Sequence, residues 1–122
     1  DTDILINVGR GDADAINCLQ NYAQTSNLAI SIITQMELIV GCRDKKELQS
    51  LTRFFKQFQI LPITEQISQK SVKLLERYRL SHGLLIPDSL IAATAIENNE
   101  DFITKNQKDF KFISGLKLLP YP

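Results

Sequence analysis

Strand-like and helix-like stretches alternate along this chain with no hairpin turn between them, and that alternation limits the fold more than any other feature. Leu28-Ala29-Ile30-Ser31, Ile60-Leu61-Pro62-Ile63, Phe102-Ile103-Thr104 and Leu116 to Leu119 read as short apolar strands. Between them lie amphipathic stretches long enough to be helices, and no Asn-Gly or similar dipeptide marks a tight turn. Antiparallel strands can be joined by two residues, whereas parallel strands need a crossover, usually a helix. The pattern therefore predicts an α/β fold: a single three-layer domain over residues 1–122 with a mostly parallel central sheet flanked by helices.

The helices carry their own punctuation. Asp12 or Asp14 can cap a helix bearing Ala15, Ile16, Leu19 and Tyr22, which Thr25-Ser26-Asn27 ends. A second runs from about Ile33 to Gly41, and Asp44 with Glu47 forms a capping-box-like pair before a third. Glu65 to His82 is a long amphipathic helix stopped by Gly83, with His82 reading as a loop residue beside it. The last, Leu90 to Ile96, is built of small apolar residues that let a helix lie close to a sheet. Asn7 to Asp12, with two glycines, reads as a loop.

Charge is balanced in total but not in distribution. Up to Gly41 the only cation is Arg10, against Asp1, Asp3, Asp12, Asp14 and Glu37; from Arg43 to Arg79 cations outnumber anions. An acidic segment beside a basic one suits a metal site flanked by phosphate-contacting surface, although solvated helix faces give such runs more often. Cys18 and Cys42 lack zinc-type spacing and read as small buried apolar residues in a reducing, cytoplasmic setting. Leu28 to Cys42, the most apolar window, is too short and too polar to span a bilayer.

Four acidic positions interrupt apolar surroundings. Asp1-Thr2-Asp3 precedes Ile4-Leu5-Ile6, Glu37 sits in Met36-Glu37-Leu38-Ile39-Val40, Asp88 follows Pro87, and Asp109 precedes Phe110. Taken singly, each has an ordinary account: a cap pair, a helix-surface glutamate, an N-cap, a turn residue. Together they fall near strand ends and helix starts, where α/β proteins build sites. Carboxylate oxygens suit Mg²⁺, which keeps several waters for substrate phosphates. With one histidine, no Walker loop and no G-x-S-x-G, the chain offers little other catalytic chemistry.

In order, D-T-D-I-L-I from Asp1, S-x-x-T-x-x-E-L-x-x-G from Ser31 to Gly41, I-P-D-S-L-I-A-A-T-A from Ile86 to Ala95 and I-T-K-N-Q-K-D-F from Ile103 to Phe110 resemble PIN-domain ribonucleases, VapC-like toxins above all. The resemblance implies a Mg²⁺- or Mn²⁺-dependent endoribonuclease, cytoplasmic and homodimeric, restrained by an antitoxin that inserts into its active-site groove. It implies Asp1, Glu37 and Asp88 as catalytic metal ligands, with a variable fourth position at Asn106 or Asp109. Thr2, Asp3 and Thr104 would stand just outside the ligands. Arg10, Arg43, Lys45 and Lys105 are the candidates for RNA phosphates. The expected products are a 5′-phosphate and a 3′-hydroxyl. The family also has a short apolar strand before the first aspartate, so a few residues of that strand are expected to precede Asp1.

Two alternatives compete. D-x-D is also the nucleophile motif of haloacid-dehalogenase-like phosphatases, which would make Asp1 the nucleophile, Asp3 the acid/base and Lys105 the phosphate lysine, but leaves Glu37 idle. A non-catalytic PIN-like binding module is the other, and Asn106 in place of an acid favours it.

Overall fold

The computed structural model describes residues 1–25 and 27–122, with nothing taken from the Thr25 side chain. The chain divides into two compact units, Asp1–Leu61 (with Pro122) and Pro62–Tyr121.

The first unit begins with a helix. α1 spans Thr2–Gly9, and Asp1 caps it, its carboxylate accepting from the Thr2 amide at 2.6 Å. Asp3 does the same for Ile4 at 2.7 Å. The predicted Asn7–Asp12 loop is thus corrected: the helix continues through Gly9, and the turn begins at Arg10. Glycine in a last turn costs little helix, and Gly11, at φ 80°, makes the reversal that a side chain would resist. α2 (Ala13–Thr25) starts as expected from Asp12, whose carboxylate accepts from Ala15 N at 3.0 Å. Of the segment predicted to end it, Ser26 lies outside the described residues.

β1 (Ala29–Ser31) leads directly into α3 (Ile32–Val40), which Gly41 ends. Asp44 caps α4 (Lys45–Phe55) through the Glu47 amide, yet the Glu47 side chain reaches back to Arg43 rather than to Asp44, so only half of the capping box forms. β2 (Gln59–Leu61) pairs parallel with β1, Ile30 opposite Ile60. Pro62 falls just beyond the strand, where its missing N–H removes no ladder bond. Leu5, Ile30 and Phe55 make the buried core, with Leu19, Leu38, Leu51, Phe54, Phe58 and Ile60 around it.

The second unit pairs two helices. α5 (Glu65–His82) is capped by Thr64 and ended by Gly83 at φ 71°, the left-handed conformation glycine adopts without strain. His82 is therefore not a loop residue: it lies in the last turn of α5, its ring 4.1 Å from that of Phe112. α6 (Ile86–Glu97) starts four residues before the expected Leu90. Pro87 at the second helical position tolerates that start, because its absent N–H would be an orphan there. α6 buries Ser89, Ile91, Ala92, Ala93, Thr94 and Ala95, as its small-residue content predicts. β3 (Asp101–Phe102) and β4 (Lys117–Leu118) pair parallel and are shorter than predicted. Phe102 of β3 meets Phe110 with ring centroids 4.9 Å apart and planes tilted by 54°.

Both strand pairs are parallel, as the alternation demands, and the fold is mixed α/β. The cysteines are half-buried rather than buried, and both are free thiols. Among the described residues no helix is long and apolar enough to cross a membrane.

Candidate functional site

The first unit assembles a polar cluster from three elements. Thr2 opens α1, Ser31 ends β1, and Thr34 and Glu37 lie one helical turn apart on α3. Ser31 caps α3, its Oγ accepting from Thr34 N at 3.0 Å. Residues three apart on a helix share a face, so Thr34 and Glu37 project toward the same neighbour, Thr2. Thr2 Oγ1 lies 2.6 Å from Glu37 Oε1 and 3.1 Å from Thr34 Oγ1, and Ser31 Oγ lies 3.2 Å from Thr34 Oγ1. Thr2, Ser31 and Thr34 are buried, while Glu37 is exposed.

Glu37 is thus both of the things its sequence context allowed. It faces water, but one carboxylate oxygen is pinned to a buried threonine. The other, Oε2, takes no hydrogen bond among the described residues. Asp1, through its contact with the Thr2 amide, and Glu37, through the Thr2 hydroxyl, converge on one residue.

Alongside lies a groove of about 1060 Å³. Leu5, Val8, Leu38, Leu51 and Phe54 give it apolar walls, Arg10, Arg43 and Lys46 give it charge, and Glu37 also lines it. Arg43 pairs with Glu47, whose Oε1 is 2.8 Å from its Nε. That contact raises the Arg43 pKa and holds the Glu47 carboxyl below its ordinary value. Lys45, expected to contact RNA, is exposed but does not line the groove; Lys46, beside it, does.

In the second unit Asp88 lies in the first turn of α6. Leu85, not Asp88, holds the cap position, and a carboxylate in the first turn is favoured by the helix dipole. Its neighbour Ser89 is fully buried and meets Ser71 of α5 at 2.6 Å. Thr104 is likewise fully buried, its hydroxyl accepting from Asn106 N at 3.1 Å. Asn106 leads into a 3₁₀ turn, Gln107–Asp109, in which Asp109 is exposed; Lys105 is exposed beside it.

Among the described residues, neither unit by itself gathers three His, Cys, Asp or Glu side chains at metal-ligating spacing. Mg²⁺ needs no such cage, being held by one or two carboxylates with waters and substrate phosphates completing its shell. The donor set fits a hard cation: carboxylates and hydroxyls, with a carboxylate oxygen of Glu37 open on the solvent side.

The PIN-domain profile matches residues 1–116. The chain belongs to the PIN-domain family. Ribonuclease VapC10 of Mycobacterium tuberculosis is 35% identical over 118 residues, covering 96% of this chain and 88% of that protein. Among solved structures, the fold matches a toxin–antitoxin complex from Klebsiella pneumoniae with a TM-score of 0.82 and 34% identity, over 98% of this chain and 93% of that one. It also matches VapBC2 from Rickettsia felis, bound to a DNA fragment from its promoter, at TM-score 0.81 and 28% identity, over 99% and 96% of the two chains. The PIN-like fold expected from the motifs is the fold of this chain. The phosphatase alternative, which left Glu37 without a role, loses its ground to a PIN domain in which Glu37 is anchored by Thr2.

The sequence reading missed two residues of this cluster. Ser31 and Thr34 stand in the S-x-x-T-x-x-E motif, and their spacing from Glu37 was the available signal.

Proposed function

We propose that this chain is a metal-dependent endoribonuclease, the toxin of a toxin–antitoxin pair, acting in the cytoplasm as a homodimer. The 122 residues serve as one catalytic domain. The observation that carries the reading is the 2.6 Å contact between Thr2 and Glu37, which joins the first two family motifs at one point. Relatives named as VapC ribonucleases and a neighbour solved as a toxin–antitoxin complex support the activity and the partner.

Asp1, Glu37 and Asp88 are the residues that would hold Mg²⁺ or Mn²⁺, with Asn106 or Asp109 as the fourth position and Asp3 and Thr104 outside them. A bound divalent ion would neutralise charge at the phosphodiester and lower the pKa of a water, so that it could be deprotonated for attack. The chain's own part is positional. Thr2 fixes one oxygen of Glu37, which leaves the other to ligate or to orient water. The cations lining the groove, Arg10, Arg43 and Lys46, take RNA phosphates, with Lys45 and Lys105 as outlying contacts. Phosphate contacts give affinity without sequence choice. The antitoxin occupies the same apolar-walled groove when the toxin is restrained.

The test is cleavage of a mixed structured RNA pool with Mg²⁺, with EDTA, and with the Asp1→Asn, Glu37→Gln and Asp88→Asn proteins. Cutting that needs the ion and is lost with each substitution is the expected result. Folded, inhibitor-free protein that cuts with neither Mg²⁺ nor Mn²⁺ would leave the binding-module alternative standing.

A further inference from the structure

Glu37 ends a chain of three hydroxyls, and counting their protons fixes the direction of the chain. A hydroxyl has one proton to donate and two lone pairs, and a carboxylate only accepts. Ser31 Oγ, Thr34 Oγ1, Thr2 Oγ1 and Glu37 Oε1 lie in sequence, with contacts of 3.2, 3.1 and 2.6 Å. Heavy-atom angles suit Thr2 as donor to both Thr34 and Glu37, but Thr2 carries one proton. The shorter, charge-assisted contact takes it. Thr34 must then supply the proton between itself and Thr2, and Ser31 the proton between itself and Thr34. In the opposite arrangement Thr2 would give its proton to Thr34 and Thr34 to Ser31 Oγ, leaving Glu37 Oε1 2.6 Å from Thr2 Oγ1 with no proton between them. Ser31 in turn accepts from Thr34 N at 3.0 Å, which closes the set.

From this we infer that Ser31 and Thr34 are positioning residues for Glu37, acting through Thr2 as a one-way hydroxyl relay. The inference rests on the proposed part of Glu37 in metal-dependent cleavage and assigns two residues that part did not include. Each bond in a chain of this polarity strengthens the next, so the Thr34 donation sharpens the grip of Thr2 on Oε1. A carboxylate held at one oxygen presents the other in a fixed direction. Without the Thr34 hydroxyl, Thr2 loses the donor that fixes its own orientation, and Oε1 of Glu37 is held less firmly.

The experiment uses the whole chain and Mn²⁺, whose binding is followed by electron paramagnetic resonance without RNA. Thr34→Val keeps the shape and removes the hydroxyl; Thr34→Ser keeps the hydroxyl. Thr34→Val is expected to weaken Mn²⁺ binding about 10- to 100-fold, the usual scale for residues that orient metal ligands. RNA cleavage should lose kcat with little change in KM, and Thr34→Ser should restore both. In the Glu37→Gln background, Thr34→Val should change Mn²⁺ affinity no further, whereas a merely structural residue would act additively. If Thr34→Val fails to fold, Thr34→Ala enters the same cycle. Thr34 variants that bind Mn²⁺ like the wild type while Glu37→Gln does not would overturn the relay alone. Equal losses in Thr34→Val and Thr34→Ser, or an additive cycle, would overturn it too. Wild-type binding and turnover in Glu37→Gln would overturn the assignment of Glu37, and the relay with it.

Discussion

Ser71 of α5 and Ser89 of α6 meet oxygen to oxygen at 2.6 Å inside the second unit, both of them buried. Ser89 gives its own proton to the Ile86 carbonyl at 2.7 Å, so Ser71 must donate to Ser89. The contact ties the two helices together one residue from Asp88.

Removing either hydroxyl should therefore cost stability unequally. Ser89→Ala strands the Ser71 proton and leaves the Ile86 carbonyl without it, a loss of about 1–3 kcal/mol; Ser71→Ala strands only a lone pair and should cost about 1 kcal/mol. The double alanine variant should lose less than the sum, because removing both partners leaves nothing stranded between them. Urea unfolding of the four proteins measures this. Strict additivity would mean that the two hydroxyls do not share a proton.

The start of α4 carries a pH dependence of known sign. Glu47 is held below its ordinary 4.5, first by its hydrogen bond from the Arg43 side chain. A lowered folded-state value means that the unfolded chain takes up the proton first as pH falls. The contribution is thus complete above 4.5 and fades as pH drops through the lowered value. Both side chains lie at the surface, so the effect is small and screened by salt. Arg43→Gln should flatten the acid limb of a stability-against-pH curve at low salt and change little at 1 M salt. An identical acid limb in the variant would show that the pair contributes nothing.

The features that were legible in the sequence are the local ones. Asp12, Asp44 and Gly83 act within a turn of where they stand, so their caps could be read from spacing. The parallel strand pairs followed from alternation. What escaped depends on distant neighbours. Thr2 meets Glu37 35 residues away, and a buried hydroxyl looks like any other threonine until its partner is known. The extension of α1 through Gly9 escaped for the opposite reason: local glycine propensity argued for a loop, and packing of α1 against α2 and α3 overrode it. The early start of α6 at Ile86 was masked by Pro87, which breaks a helix interior but not a first turn.

The fourth acidic position can be decided between its two candidates. Both are exposed, but Asn106 is held by its main-chain N–H on the buried Thr104 hydroxyl, whereas Asp109 stands at the end of its 3₁₀ turn. Asn106→Ala should lower metal-dependent RNA cleavage by about tenfold, within the range for outer positions of metal sites, and Asp109→Asn should leave it unchanged. Thr104→Val, which frees the Asn106 amide, should follow Asn106→Ala. The reverse ranking would move the fourth position to Asp109.

Among the groove cations, Lys46 and Arg43 should differ in what they give to RNA. Both line the groove, but Arg43 Nε is 2.8 Å from Glu47 Oε1, and part of its charge is spent there. Lys46, for which no ion pair is found among the described residues, keeps its charge for a phosphate. Lys46→Gln should raise KM for RNA, leave kcat near wild type and reduce the slope of log affinity against log salt by about one, the signature of one lost phosphate contact. Arg43→Gln should do the same more weakly, and adding Glu47→Gln to it should recover part of the loss, since an unpaired carboxylate lining the groove repels phosphate. Binding of a non-cleaved RNA to the Asp88→Asn protein across a salt series separates these cases from effects on chemistry. A larger loss from Arg43→Gln than from Lys46→Gln would mean that Arg43 leaves Glu47 when RNA arrives, and that the ion pair at the mouth of α4 is exchanged for a phosphate.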